Sequence, residues 1–141
     1  MSSIFTKIIN GEIPCYKIAE DENFFVFLDI FPLVKGHVLV IPKVEVDYIF
    51  DIEDDLLGRM IVFAKEVAKK IKNAFPCNRV GVTVIGLEVP HVHVHLIPLN
   101  EMKEMKEQIL KLSAQPAGKK IVATPTQLNK QGCLTLSCLS L

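Results

Sequence analysis

The stretch HVHVHLIPL, residues 91–99, puts three histidines at alternate positions in a chain that holds four. On a strand, residues i, i+2 and i+4 share a face. His91, His93 and His95 would then line one side, with Val92, Val94 and Leu96 turned the other way, toward a core. A single buried histidine is common and needs no function. Three on one face differ: each ring needs partners for two nitrogens, and crowding disfavours the cationic forms. Packing alone gives no reason to gather that cost, so the pattern points to a site.

Two chemistries compete for it. A rise of about 3.3 Å per residue sets His91 and His95 about 13 Å apart along a regular strand. Zinc needs each nitrogen at about 2.0–2.1 Å, so one ion cannot take all three rings from such a strand. A neighbouring pair could serve if His37 or a cysteine joined it, but Cys15, Cys77, Cys133 and Cys138 show no tight ligand spacing. Covalent chemistry asks for less. A neutral imidazole is a nucleophile near neutral pH, and an acceptor on its other nitrogen fixes the tautomer it needs. Protonated neighbours could donate to phosphate oxygens as charge builds. His93 has a same-face histidine on each side, which favours it as the reacting centre. His37 opens a strand that could lie nearby.

The elements that must position these rings follow from patterning. Ile4, Phe5, Ile8 and Ile9 fall at helical spacing after Ser2 and Ser3, either of which could cap, and Gly11 sits where a helix would stop. Residues 16–20 and 24–30 read as two strands around an acidic turn, and 37–43 as a third strand. Asp51 is a good N-cap for a long helix over about 52–75. Its apolar face would carry Leu57, Met60, Ile61, Ala64, Val67, Ala68, Ile71 and Phe75, and Pro76 would end it. Residues 79–86 and 91–99 are the fourth and fifth strands. With no repeating βαβ pattern, the fold class is α+β with an antiparallel sheet.

Residues 1–113 form the expected domain, with a charged segment at 101–108 that suits a short helix. After Glu107 no acidic residue occurs, and 114–141 reads as a partly ordered C-terminal tail. Sixteen basic and sixteen acidic residues cancel, so no nucleic-acid partner is expected, although a small phosphorylated ligand needs only a few local donors. No apolar run is long enough to span a bilayer and the N-terminus lacks a signal-peptide pattern, so no membrane partner and a cytoplasmic location are expected.

With these residues in hand, the sequence resembles the histidine triad (HIT) family and its Hint-like branch. HVHVHLI at 91–97 fits the family's alternating motif. FLDIFPLVKGHVLVIPK at 27–43 is similar to its nucleotide-cradling strand-loop-strand, and IFTKIINGEIP at 4–14 also fits. The resemblance covers about residues 3–100. It implies a HIT-like fold, a five-stranded antiparallel sheet with one long and one short helix. It implies attack by His93 on the α-phosphorus of a purine nucleoside phosphoramidate and a nucleotidyl-histidine intermediate, with AMP or GMP as the product. His95, His37 and His91 complete the catalytic set, His95 and His37 steadying phosphate oxygens and neighbouring rings. Asp29 would hold ribose hydroxyls. Phe5, Ile8, Ile13, Phe27, Leu28 and Ile30 would wall the base. The resemblance implies no metal or other cofactor, and a homodimer built on the long helix and a sheet edge.

The sequence departs from the family pattern in three places. Residues 82–90 run almost directly into His91, where many relatives carry a Gly-rich, phosphate-binding loop. Glu88 stands where relatives often have Ser or Thr near the leaving group, and would act as an acid toward an amine. Ser3 and Thr6 occupy the positions of a Cys-x-x-Cys zinc clasp found in some bacterial relatives, so no such clasp is expected. The alternatives are a dinucleoside polyphosphate hydrolase, a nucleotide-binding regulator with little turnover, and a metal-binding protein.

Overall fold

The computed structural model describes residues 2–103 and 106. The expected boundary at 113, the tail 114–141 and part of the expected helix over 101–108 lie outside them. The chain begins with helix α1 (Ile4–Ile9). Ser3 caps it, its hydroxyl accepting the Thr6 N–H at 3.0 Å. Gly11, at φ +76°, closes it through an N–H to the Ile8 carbonyl. Strands β1 (Lys17–Glu20) and β2 (Phe24–Leu28) follow, and the Asp21 carboxylate accepts the Asn23 and Phe24 N–H groups in the turn between them. Then come β3 (Val38–Pro42), a 3₁₀ turn (Ile49–Asp51), helix α2 (Asp54–Ala74), β4 (Arg79–Thr83) and β5 (Val94–Leu99).

The five strands form one antiparallel sheet in the order β1-β2-β3-β5-β4. Its two faces separate by the period-2 rule. Phe24, Val26, Val38, Val40, Val94 and Leu96 pack with Met60, Ala64, Val67 and Ile71 of α2. Phe25, Phe27, Leu39 and Ile41 pack on the other face with Phe5 and Ile8 of α1. Met60 is fully buried, so truncating it to alanine would cost about 2–5 kcal/mol. Among the described residues no helix is long and apolar enough to cross a membrane.

Several boundaries differ from those read in the sequence, each for a local reason. Asp51 is not the cap of α2. It ends the 3₁₀ turn, and Glu53 occupies the cap without a side-chain bond. Ile61 is 48% exposed, at the margin of the apolar stripe and not on its centre. β2 stops at Leu28 and β4 at Thr83. The most consequential change is in the histidine stretch, where β5 begins only at Val94. The Val92 N–H goes to the Val46 carbonyl and the His91 N–H to the Val89 carbonyl, not to β3. β3 ends in Pro42, which has no N–H with which to extend the ladder. The expected facing nevertheless holds, since Val92, Val94 and Leu96 all join the α2-side core.

Gly36, at φ +89°, turns the chain into β3 one residue before His37. A Cβ there would meet the Phe75 ring at 2.7 Å, so both the backbone and the space demand glycine.

Candidate active site

All four histidines gather on the α1 side of the sheet. Their ring centroids run in sequence, with His93–His95 at 4.9 Å and His95–His37 at 5.2 Å. Phe5 stands edge-on to His93 at 5.1 Å and to His91 at 5.8 Å. These are not the exposed rings that an open sheet face would give. His37 and His91 are fully buried, and His93 and His95 nearly so.

Burial has an electrostatic consequence, because it penalises the charged form. Desolvation pulls His37 down to about 4. Desolvation, reinforced by the neighbouring His93 and His37, pulls His95 down to about 4 against the opposing pull of Asp29. His93 is also lowered, chiefly by desolvation, while its bond to the His91 carbonyl and the charges of Asp29 and Glu88 oppose the shift. His37 and His95 are therefore neutral near pH 7, not protonated donors as expected from the sequence.

Each tautomer follows from partners that can act in one way only. A main-chain N–H must donate, so Leu33 N–H gives to His37 Nδ1 at 3.2 Å and His37 carries its proton on Nε2. That proton goes to His95 Nδ1 at 2.9 Å, with the Asp29 carboxylate 3.5 Å from the same Nε2. His95 is left with an Nε2–H to offer. A carbonyl must accept, so His93 Nδ1–H donates to the His91 carbonyl at 2.7 Å, and the His93 Nε2 lone pair is free. By the same rule His91 Nε2–H donates to the Pro42 carbonyl at 2.8 Å. A ring with a fixed lone pair next to a ring with a fixed N–H is the equipment of a nucleophile and an oxyanion donor.

Comparison with known proteins decides the family, because the HIT domain model matches residues 10–102. The chain belongs to the HIT family. It is 40% identical over 101 residues to the adenosine 5'-monophosphoramidase HNT1 of Saccharomyces cerevisiae, a match covering 71% of this chain and 64% of the yeast protein. It is 44% identical over 102 residues to an uncharacterized HIT-like protein of Methanocaldococcus jannaschii, covering 70% and 79%. Among solved structures, a Hit-like protein involved in cell-cycle regulation from Bartonella henselae superposes with a TM-score of 0.68 at 32% identity, covering 80% of this chain and 95% of that one.

Within this HIT domain the expected site residues do not all converge. His37, His93, His95 and Asp29 meet. His91 sits behind them, both ring nitrogens engaged by protein, so it supports the site from within. Phe5, Ile8 and Phe27 are buried in the α1-side cluster, and Ile13 borders it half-buried. Leu28 is not brought there, because its odd-even neighbour Phe27 takes that face and Leu28 packs toward α2. Ile30 lies half-buried beyond the end of β2. Asp29 is tied to the histidines more than expected, since its N–H bonds the His37 carbonyl and its carboxylate accepts the Phe31 N–H. Glu88 is exposed, although its charge is felt at His93.

Cys15 and Val89 also border the α1-side cluster and escaped the sequence reading. So did Glu45, and Ser3, expected as a cap and as one position of an absent clasp, has a tie to His91 that nothing local in the sequence signals.

Asp29, His37 and His95 each bring a ligand atom within 4.8 Å of the others, a spacing that could close on a metal ion. The Leu33 bond opposes it. Ligation through His37 Nε2 would move the proton to Nδ1, where it would face the Leu33 N–H. The cluster is better suited to holding protons than a metal. Two cavities of about 530 and 250 Å³ contain none of the histidines; both are lined in part by α2 residues and Asp21.

Proposed function

We propose that this HIT protein hydrolyses purine nucleoside phosphoramidates at the α-phosphorus through a nucleotidyl-histidine intermediate. The observation that carries this reading is the 2.7 Å bond from His93 Nδ1–H to the His91 carbonyl, which leaves Nε2 as a lone pair. His93 Nε2 attacks the α-phosphorus and the bond from phosphorus to the amine nitrogen breaks. The amine keeps the bonding pair and takes up a proton on the solvent side, where Glu88 stands. Water then attacks phosphorus and gives up a proton to solvent, the phosphorus–Nε2 bond breaks with its pair returning to Nε2, and the nucleoside monophosphate leaves. His95 Nε2–H donates to a phosphate oxygen as charge builds, with His37 holding the far side of the His95 ring. A neutral His95 suits this role, because it does not compete for the attacking lone pair.

The name of the yeast relative, an adenosine 5'-monophosphoramidase, supports AMP as the product. The half-buried edge at Ile13, Cys15 and Val89 is where a base would contact the apolar cluster. Exposed Ile61 and Val62 on α2 and Val82 on the edge strand β4 support a homodimer through that side of the molecule.

Acid-quench mass spectrometry with an adenosine phosphoramidate tests the mechanism. The expected result is an AMP adduct on His93 in the wild type. His93→Ala should lose the adduct and at least about a thousandfold in kcat. An adduct on another residue, or near-normal turnover by His93→Ala, would overturn the reading.

A further inference from the structure

His91 places the carbonyl that orients His93, so whatever places His91 also sets the nucleophile. Its Nε2–H is committed to the Pro42 carbonyl, which leaves Nδ1 as an acceptor. The group opposite, at 2.8 Å, is the Ser3 hydroxyl, which must therefore donate. An N-cap serine ordinarily needs only its oxygen. Here the oxygen accepts the Thr6 N–H while the proton goes to a fully buried ring. Ser3 is in turn held from outside. Its N–H donates to Glu45 Oε2 at 3.0 Å, and the Thr6 hydroxyl donates to the same oxygen. The two bonds hold the Glu45 carboxyl below the usual carboxylate range, the Thr6 hydroxyl contributing most. One carboxylate oxygen thus ties down the first turn of α1, and that turn also carries Phe5 against His93.

We propose that Ser3 and Glu45 are positioning residues for the nucleophile: Glu45 latches the first turn of α1, Ser3 fixes the His91 ring, and the His91 carbonyl fixes His93. This rests on the reading of His93 as the nucleophile. Neither residue hydrogen-bonds His93 itself; their bonds run to Thr6, His91 and each other. Their effect belongs in the chemical step and not in binding, because a displaced His91 carbonyl misaims the His93 lone pair.

The test separates this role from helix capping. Glycine is a tolerated N-cap but has no hydroxyl to donate. Ser3→Gly should therefore lower kcat by about ten- to a hundredfold, the loss expected of a misplaced reacting group, while KM and AMP affinity stay near wild type. Ser3→Thr, which restores the hydroxyl, should restore kcat. Glu45→Ala should act in the same direction and less strongly, and Glu45→Gln, which keeps an acceptor oxygen, should be milder still. Imidazole ¹⁵N shifts supply a second readout. The wild type should show His93 as a single Nδ1–H tautomer, and Ser3→Gly should show a mixture. Wild-type kcat together with an unchanged His93 tautomer in both Ser3→Gly and Glu45→Ala would overturn the proposal. If Ser3→Gly does not fold, Glu45→Ala, altered at an exposed position, decides alone. If the wild type forms no adduct, the proposed function has failed, and the ¹⁵N comparison still decides whether Ser3 and Glu45 position His93.

Discussion

His37 Nε2 lies 2.9 Å from His95 Nδ1, a bond between two buried rings that are 58 residues apart in sequence. Removing the donor leaves a buried acceptor with no partner, which costs about 1–3 kcal/mol. His37→Ala should therefore melt at a lower temperature than the wild type and turn over more slowly, because His95 loses the bond that fixes its Nε2–H. Thermal melts and kcat measured on the same preparation check both. Unchanged stability would show that the bond contributes nothing.

Stability should also depend on pH in a defined window. His37 and His95 are pulled down to about 4 in the fold, whereas an unfolded histidine titrates near about 6.5. Between these values the unfolded chain binds more protons than the native one, so unfolding becomes more favourable as pH falls. Stability should rise from about pH 4 to about pH 6.5 and then level off. Urea titrations across that range would show a flat line if the rings were charged in the native protein.

Val94 and Val82 offer a paired test of the sheet. Val94 is fully buried against α2, and Val82 is 58% exposed on the edge strand. Val94→Asp buries an unpaired charge at a cost of several kcal/mol, comparable with the whole stability of a domain. It should abolish the folded circular dichroism spectrum. Val82→Asp should keep that spectrum and, on the homodimer proposed above, shift sedimentation toward the monomer. A folded Val94→Asp would reverse the assigned facing.

Glu88 should bear on the leaving group. Its negative charge opposes a departing polyphosphate, whereas an amine needs a proton. Phosphoramidates should therefore be cleaved faster than dinucleoside polyphosphates, and Glu88→Gln should narrow the ratio of kcat/KM. Solvent screens an exposed carboxylate, so the narrowing should be about three- to fivefold and shrink with added salt. A ratio identical in both proteins would mean that Glu88 takes no part.

The sheet was legible because alternation sorts residues without knowledge of partners. Phe25 and Phe27 go one way, Phe24 and Val26 the other, and the valines between the histidines follow the same rule. Leu28 obeys it too: it alternates with Phe27 and turns toward α2, away from the base wall that the resemblance implies for it. The early end of the ladder at Val94 was half legible, since Pro42 announces a strand that cannot donate. The protonation of the rings was not legible, because it depends on burial that only the assembled fold creates. Ser3 reads in the sequence as a cap and as one position of a clasp the chain lacks, and neither reading ties it to a ring 88 positions away.

The bonds that fix the rings span 88, 58 and 49 residues, joining Ser3 to His91, His37 to His95 and Pro42 to His91. Contacts of such high order form late, after the entropy of closing large loops has been overcome. On a ribosome the segment that carries Ser3 emerges before the other elements of this domain and must wait for nearly all of them before its hydroxyl reaches His91. A chain truncated just before residue 91 carries the residues of α1, β1, β2, β3, α2 and β4, yet it holds none of the three histidines of the 91–95 stretch.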